Sequence, residues 1–583
     1  MRRYAALLLL SLILLPALPL STEAEEFELR FELMVLSWDD WSVHTGEVLA
    51  QQLEKVGIKL EVTPLDDSVM YPRIDARDYW MAEEALGYDM VPTHMFYRFH
   101  SSQDFEGGGN YMSYRNPEYD SLVEQALATT DKDEARDLMR QAQAILAEDL
   151  PYLPLFITKD IHPFYKGWEG IVAMSGGSIS SANKLTVVNM HHPERDTFVM
   201  AYPSFPRSLN PMPATDGRSL WYAILVYDSL LIYDENLNLI PWLAESYEVS
   251  EDGKTITFVL REGVKWHDGQ PVTAEDVAFT FNFAKENEAY GSFYVDIPTR
   301  LDYAEAVDER TVVVHLKEPY VFALEAFGLV PIVPKHIWEN VDKWDWESSK
   351  VYDYGVGCGP FKFVEMVEGD YIRLVKNEDY WLEGKPMVDE IIIRVIDTEE
   401  ARILAIKSGE ADTKRYELIP AFLEAVKGDP NIELVEAVSP WDYVLMFNLN
   451  RWPLNETKFR EAVAYAIDRD EIVEKAALGA GVATTTFVPA SFFGTYWENP
   501  EAKVPEHNIE KAKQLLAELG FRDVDNDGIL EYAPEVETPA PTTAAPTTPA
   551  VTPAPARFPW VAVAFIIVVI VVMAAFAIIG RRK

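Results

Sequence analysis

The sequence predicts an α/β fold, and the first segments after an apolar leader give the pattern. From Phe27 the stretch FELRFELMV alternates apolar and charged residues, which is typical of a half-buried strand. A helix is predicted next, from about Gly46, with Leu49 and Leu53 on its inner face and an end at Gly57. The alternating stretch IKLEV follows as a second strand. Strand, helix and strand in succession indicate an α/β unit.

The composition permits a large folded body. With 48% hydrophobic residues, about 500 positions between the two ends can bury enough apolar surface for two or three lobes. Cys358 is the single cysteine, which excludes an intramolecular disulfide framework. The formal net charge of −43 disfavours nucleic acid and anionic lipid surfaces as partners, because both would repel the protein.

Both ends of the chain predict targeting segments. Residues 1–24 have a basic start, an apolar run and small residues suited to cleavage, and so predict a secretory signal peptide, with an uncleaved anchor as the alternative. Residues 533–556 are rich in Thr, Pro and Ala and predict an extended stalk. Residues 557–583 predict a transmembrane helix with a basic cytoplasmic tail. We therefore expect the body at the extracellular face of the cell membrane, anchored by its C-terminal helix after signal cleavage.

Two further regions have clear helix and turn signals. The stretch NPEYDSLVEQALATTDKDEARDLMRQAQAILAEDLPYLPLF predicts a helical pair, with Asp131 near the start of the second helix and Pro151 after its end. A β-rich part begins at about Lys184. Within it, Thr273 followed by Asp276 predicts the capped start of a helix.

Several of these stretches together resemble one known family. LAESYEVSEDGKTITFVLREGVKWHDGQPVTAEDVAFTF, IVPKHIWENV, GCGPFKF, LVKNEDYWLEGKPMVDEIIIRVI, AIKSGEAD and FNLNRWPLNETKFREAVAYAIDRDEIV are similar to the dipeptide/oligopeptide-type extracytoplasmic solute-binding proteins of ABC importers (family 5 solute-binding proteins). The resemblance covers roughly residues 27–532. It implies a two-lobed periplasmic-binding-protein-like (type II) fold with an extra small domain. The stalk and C-terminal anchor suggest an archaeal cell surface, again by resemblance.

The order of the matching stretches is rotated relative to that family. Pieces that resemble the family's C-terminal half come first here, from Phe27 to about Phe164, and its usual beginning follows at about Phe198. We therefore predict a circular permutant in which the strand Gly528–Tyr532 pairs with Phe27–Val35. The rival interpretation is a fusion of two unrelated half-genes, whose halves could pair between chains as a swapped dimer.

The permutation sets the expected domain boundaries. They are a signal peptide (1–24), part of the second lobe (25–163), the first lobe with an inserted small domain (164–437), the remainder of the second lobe (438–532), the stalk (533–556) and the anchor with its tail (557–583).

By resemblance, the function is that of a monomeric substrate-binding protein that captures a small molecule between its lobes and delivers it to an ABC permease. In peptide-binding members an aspartate that follows a tryptophan holds the peptide's amino terminus. Here YDMVPTHMFYRFHSSQD offers no acid after Asp89 until Asp104, which weakens the peptide interpretation. Short peptides and oligosaccharides therefore both remain open as ligands.

Aromatic residues near the expected lobe crossings are the candidate ligand contacts. These are Tyr202, Phe205, Trp221, Trp441, Tyr443, Asn448, Phe96, Tyr97 and Phe99.

Other classes of function are less consistent with the sequence. His-Glu-x-x-His, Gly-x-Ser-x-Gly and P-loop motifs are absent, so we expect neither an enzyme nor a cofactor. A membrane-anchored hydrolase and a non-binding structural surface protein are the alternatives. Asp523, Asp525 and Asp527 match the first positions of a calcium loop, but its twelfth position falls on Pro534, which makes a hairpin turn the stronger interpretation.

Overall fold

The computed structural model describes residues 27–180, 182–340 and 355–534. The predicted signal peptide (1–24) and membrane anchor (557–583) lie outside these ranges, as does nearly all of the predicted stalk (533–556). Among the described residues, no helix combines the length and the apolar character that crossing a bilayer requires.

The N-terminal part of the chain alternates strands and helices. In chain order its elements are β1 (Arg30–Leu36), α1 (Asp40–Glu54), β2 (Lys59–Leu65), α2 (Asp67–Asp75), β3 (Met81–Gly87), α3 (His94–Phe99), α4 (Pro117–Ala128), α5 (Lys132–Asp149) and β4 (Tyr152–Tyr165).

The middle part contains more and shorter strands. Its elements are α6 (Lys184–Asn189), β5 (Thr197–Tyr202), α7 (Gly217–Val226), β6 (Leu231–Tyr233), β7 (Leu239–Pro241), β8 (Ala244–Val249), β9 (Thr255–Leu260), α8 (Ala274–Glu286), α9 (Ile297–Arg300), β10 (Leu301–Ala306), β11 (Thr311–Leu316), α10 (Ala323–Gly328) and α11 (Lys335–Trp338).

The C-terminal part contributes strands to the sheets of both earlier parts. Its elements are β12 (Phe361–Val367), β13 (Tyr371–Lys376), β14 (Glu390–Val395), α12 (Glu399–Ser408), β15 (Thr413–Lys414), α13 (Leu423–Val426), β16 (Ile432–Phe447), α14 (Thr457–Ala466), α15 (Arg469–Lys475), β17 (Gly481–Ala483), α16 (Ala490–Phe493), α17 (Ile509–Glu518), β18 (Phe521–Arg522) and β19 (Glu531–Tyr532).

A six-stranded mixed sheet combines the two ends of the chain, in the order β17-β4-β16-β3-β1-β2. β1 pairs in parallel with β2 and β3, while β16 pairs antiparallel with β3 and β4. Helix α1 packs on this sheet at Gly46, where a Cβ would lie 2.8 Å from Val35 Cγ1. The prediction that this helix begins near Gly46 was wrong. The Asp39 carboxylate accepts a hydrogen bond from the Trp41 backbone N–H and starts the helix earlier.

Two other sheets come from the middle of the chain. A five-stranded sheet has the order β12-β13-β14-β5-β15, and a four-stranded antiparallel sheet has the order β10-β11-β9-β8. Helix α8 packs on the four-stranded sheet and begins with the predicted capping box, in which Thr273 and Asp276 bond reciprocally. The α/β fold class is therefore confirmed.

The long strands β4 and β16 join the six-stranded and five-stranded sheets. They pair antiparallel from Ile432 opposite Tyr165 to Met446 opposite Tyr152, with a break in register between Val438 and Asp442. At the far end the backbone N–H of Tyr165 donates to the carbonyl oxygen of Asp412, next to β15. Both strands thus run out of one sheet and reach the other.

The two ends of the described chain meet at one edge. Glu28 forms an antiparallel bridge with Glu531, and the N–H of Tyr532 donates to the carbonyl oxygen of Phe27 at 2.9 Å. The predicted pairing of Gly528–Tyr532 with Phe27–Val35 is confirmed for Phe27–Leu29 only. From Arg30 onward β1 pairs with β2 and β3 instead, and these two strands occupy both of its edges.

Candidate functional site

A cavity of about 580 Å³ is lined on one side by segments next to the six-stranded sheet and on the other by segments from the middle of the chain. One wall comes from the loop after β3 and from Ser439 to Trp441 of β16. The opposite wall comes from α7, from the residues around β6 and from α10 with the segments that flank it. Its volume is that of a typical small-ligand site.

One ion pair in the cavity wall, between Lys184 and Asp228, has its hydrogen-bond partners within the protein. The Lys184 Nζ lies 2.8 Å from Asp228 Oδ1, and both side chains are buried. The Asp228 carboxylate also accepts hydrogen bonds from the indole N–H groups of Trp242, at 3.1 Å, and Trp381, at 3.0 Å. A buried pair with this many partners holds the wall together and leaves little capacity for a ligand.

The second basic residue of the wall is also engaged. The Arg415 guanidinium donates to the carbonyl oxygens of Ile179, at 2.9 Å, and Gly217, at 3.1 Å. Nearby, Asp160 Oδ1 lies 2.8 Å from His162 Nδ1, and Asp160 Oδ2 accepts from the Ser178 N–H at 2.8 Å. Arg415 therefore connects two loops, and Asp160 is held by its own neighbours.

Four other carboxylates line the wall, those of Asp89, Asp296, Glu325 and Glu417, and the first three have few partners. Asp89 accepts a hydrogen bond from the Thr93 hydroxyl, and Glu325 lies 3.7 Å from Lys132 Nζ. The Asp296 carboxylate accepts no hydrogen bond from any residue that the structure describes. Burial raises the pKa of Asp296, and the charge of Asp89 raises it further against the opposing effect of Arg300. Burial likewise raises the pKa of Glu325, which Lys132 partly offsets.

Two buried tyrosines lie beside these acids. Tyr233 is 3% exposed and Tyr320 is 6% exposed, and both line the cavity. Burial raises the pKa of Tyr233, and the charges of Glu325 and Asp89 add to the effect. Burial also raises the pKa of Tyr320, with Asp296 as the next contributor. Each tyrosine is therefore close enough to two of the acids to interact with them electrostatically.

Trp441 is the one predicted contact residue that lines the cavity, and 44% of its surface is exposed. Tyr97 is 40% exposed and lies near the cavity. Burial raises its pKa to about 12, and the charge of Asp296 is the next cause. Phe96 is half-buried and stacks on His100, with ring centroids 4.6 Å apart.

The other predicted contacts do not line the cavity. Tyr202, Trp221 and Phe99 have 1% or less of their surface exposed and belong to the packed core. The Tyr443 hydroxyl donates to Asp39 Oδ2 at 2.7 Å. The Asn448 amide donates to two backbone carbonyl oxygens, each at 2.8 Å.

Phe205, the remaining predicted contact, is partly buried against the core. The assignment of these residues to ligand binding remains a prediction.

The cavity acids were missed by the sequence reasoning. Asp89 was noted only as the last acid before a gap, although the turn after a strand end is where binding residues commonly lie. Asp296 and Glu325 have no local signal, since nothing in the sequence places α9 and α10 opposite the loop after β3.

In the structure the carboxylate of Glu531 lies next to the three aspartates of the acidic loop near the C-terminal end. Oxygen atoms of Asp523, Asp525, Asp527 and Glu531 all lie within 4.8 Å of one another. Glu531 is buried, and its Oε2 accepts from the Val524 N–H at 2.7 Å. The loop therefore does not depend on its twelfth position, where the sequence has proline. The predicted hairpin turn is confirmed, because β18 pairs antiparallel with β19 across this loop, while calcium binding stays the weaker alternative.

The architecture and the cavity define a class of protein, namely solute-binding proteins that hold a ligand between two α/β regions joined by crossing strands. The family model described as bacterial extracellular solute-binding proteins, family 5 (middle region), matches residues 238–554, just over half of the chain. The protein belongs to this family.

Named relatives fall in the same family. The chain is 31% identical over 334 residues to the oligopeptide-binding protein AppA of Bacillus subtilis, covering 56% of this chain and 60% of that protein. It is 29% identical over 345 residues to the dipeptide-binding protein of Escherichia coli, covering 56% of this chain and 63% of that protein. The chain thus spans a little over half the length of the curated relatives it matches.

Among solved structures, a periplasmic oligopeptide-binding protein of an ABC transporter from Thermotoga maritima is 27% identical. The comparison covers 59% of this chain and 66% of that one, with a TM-score of 0.47.

Proposed function

We propose that this protein is the substrate-binding component of an ABC importer, and that it captures short peptides outside the cell. Membership of the family supports a binding protein rather than an enzyme. The names of the relatives, an oligopeptide-binding and a dipeptide-binding protein, support peptides as the ligand class. Delivery to a permease follows from the same family and belongs to the proposal.

The observation that carries the proposal is that the cavity has walls from both sides of the crossing strands. Asp89 and Trp441 belong to the six-stranded sheet's side, and Tyr320 with Glu325 belongs to the middle of the chain. A ligand that contacts both walls stabilises the closed arrangement. We therefore assign residues 25–163 and 438–532 to one lobe and 164–437 to the other.

Direct contacts between the proposed lobes support a closed arrangement. The Val321 N–H donates to the Leu127 carbonyl oxygen at 3.0 Å, and the Phe322 and Trp497 rings lie 5.4 Å apart. Lys132 and Glu325 add a long ion pair across the same junction. A ligand that contacts both lobes would add to these contacts and so favour the closed arrangement.

We also propose that the chain is a circular permutant of its family. The N-terminal strands β1, β2 and β3 share a sheet with β16 and β17, which supports one body assembled from both ends of the chain. The bridge between Glu28 and Glu531 supports a junction where the family's chain would be continuous.

The location follows from family and sequence together. The family is extracellular. We propose that the predicted stalk (533–556) and helix (557–583) hold the body at the cell surface. Recovery of the full-length protein in the membrane fraction, and of a form ending at Pro534 in the medium, would support this arrangement. Equal recovery of both forms in the medium would contradict it.

The function is tested by ligand screening on the purified full-length protein in mild detergent. We expect peptides of roughly two to five residues to raise the melting temperature, because a ligand that binds only the folded state stabilises it by mass action. Oligosaccharides form the second arm. Stabilisation by oligosaccharides but by no peptide would replace the proposed ligand class, and stabilisation by neither would overturn the binding function.

A further inference from the structure

The basic groups that line the cavity are engaged by the protein itself, whereas several of its acidic groups are not. Its two lining cations, Lys184 and Arg415, are bound to protein carboxylate and carbonyl groups. Asp89, Asp296 and Glu325 lack comparable partners. We call these three acids together with Tyr233 and Tyr320 the acid–tyrosine pocket.

The hydroxyls of the two tyrosines of this pocket are available to a polar ligand. More than nine-tenths of each residue is buried, yet within the described part of the chain neither hydroxyl forms a hydrogen bond. Neither hydroxyl oxygen is fully buried, so a ligand in the cavity can reach each of them. Both residues line the cavity, so a ligand that occupies it can supply the bonds.

Two neighbouring cations offset part of the negative charge from outside the cavity lining. The Arg300 guanidinium lies over the Tyr320 ring, 4.0 Å from its centre, and Lys132 approaches Glu325 at 3.7 Å. Both contacts are longer than a direct charge-assisted hydrogen bond. Three acids against two peripheral cations still leave the pocket negative.

We propose that the acid–tyrosine pocket binds a basic side chain of the ligand, so that the protein prefers peptides containing lysine or arginine. This inference rests on the proposed peptide-binding function. An ammonium or guanidinium group can lie between Asp296 on one wall and Asp89 on the other, whose charges interact, while Glu325 adds negative charge beside Tyr233 and Tyr320. The tyrosine oxygens can accept further bonds, and the ring faces attract a cation.

The same features exclude an acidic side chain from the pocket. A ligand carboxylate would be buried next to three carboxylates, and like charges at short range in a desolvated site are strongly unfavourable. A neutral side chain of equal size would leave the acids without partners. The pocket therefore discriminates by charge more than by shape.

Calorimetric titration of the full-length protein with matched peptides tests the inference. The peptides differ at one position only, which is lysine, glutamine or glutamate. We expect the lysine peptide to bind at least about tenfold more tightly than the glutamine peptide, which corresponds to about 1.4 kcal/mol, and the glutamate peptide to bind most weakly. We expect Asp296→Asn to weaken the lysine peptide about tenfold and to leave the glutamine peptide unchanged.

Asp302→Asn is the matched control, because Asp302 is an exposed acid on β10 outside the cavity lining. It removes the same charge from the same region and should leave all affinities unchanged. Glu325→Gln gives a second test if Asp296→Asn fails to fold. Equal affinity for lysine and glutamine peptides, or equal weakening of both by Asp296→Asn, would overturn the basic-side-chain preference alone. Absence of binding by every peptide would overturn the proposed function and this inference with it.

Discussion

The junction between the two ends of the body can be tested at one glycine. Gly57 has φ of +81°, and a Cβ there would lie 2.5 Å from Leu530 Cγ. Its carbonyl oxygen also accepts a hydrogen bond from the Leu530 N–H at 2.9 Å. The substitution Gly57→Ala therefore perturbs the contact between the N-terminal and C-terminal segments directly.

The expected loss in the free energy of unfolding has two parts. The left-handed backbone costs an alanine about 1–2 kcal/mol, and overpacking against Leu530 adds about 1–3 kcal/mol. The total is about 2–5 kcal/mol. With an unfolding entropy of about 2.1 cal/mol/K per residue, a body of about 500 residues loses about 1 °C of melting temperature per kcal/mol. We therefore expect a fall of about 2–5 °C.

Three further variants separate the two parts. Gly479 has φ of +78° and nothing within 4 Å of its Cβ position, so Gly479→Ala should cost only the backbone part. Leu530→Ala removes the clashing side chain, so the double variant with Gly57→Ala should be more stable than the sum of the single losses implies. Scanning fluorimetry and circular dichroism measure all four proteins. Equal effects of the two glycine substitutions, with no coupling to Leu530, would refute the packing of these segments.

The remaining predictions concern chain order, calcium and pH. Moving residues 27–165 behind Tyr532 through a two-residue turn should give a protein with unchanged ligand binding, whereas an insoluble product would contradict the permutation. The hairpin interpretation of the acidic loop predicts that calcium changes the melting temperatures of the wild type and Asp525→Asn equally, and a rise in the wild type alone would show a calcium site there. Burial raises the pKa of Asp442 to about 7. Its contribution to stability is therefore fully present below an unfolded-state pKa of about 4 and is lost as pH rises through about 7. The melting temperature of Asp442→Asn should fall less across that range, and parallel profiles would show that Asp442 does not ionise there.

Local signals predicted much of the fold. Asp131 caps α5 by accepting from the N–H groups of Asp133 and Glu134, as its position before an amphipathic run indicated. The alternation from Phe27 predicted β1 in the same way. These features depend on contacts between neighbours in the sequence, so a single sequence contains the information.

The site was harder to predict, because aromatic residues suit a protein core as well as a ligand. Tyr202 and Trp221 lie next to cavity-lining segments but turn into the core. Asp89, Asp296 and Glu325 come together only through the tertiary fold. The partial burial of Asp296 and Glu325, and the small number of partners of all three acids, are properties of the assembled walls, which no local pattern encodes.

The register break between Val438 and Asp442 has a mechanical consequence. A two-stranded ribbon is stiff where its ladder is complete, and it bends most easily where the rungs are missing. The missing rungs fall beside Ser439 and Trp441, which line the cavity. Under the proposed function, a solute in the cavity would therefore touch the ribbon where it bends most easily, and its shape would set the angle between the two sheets.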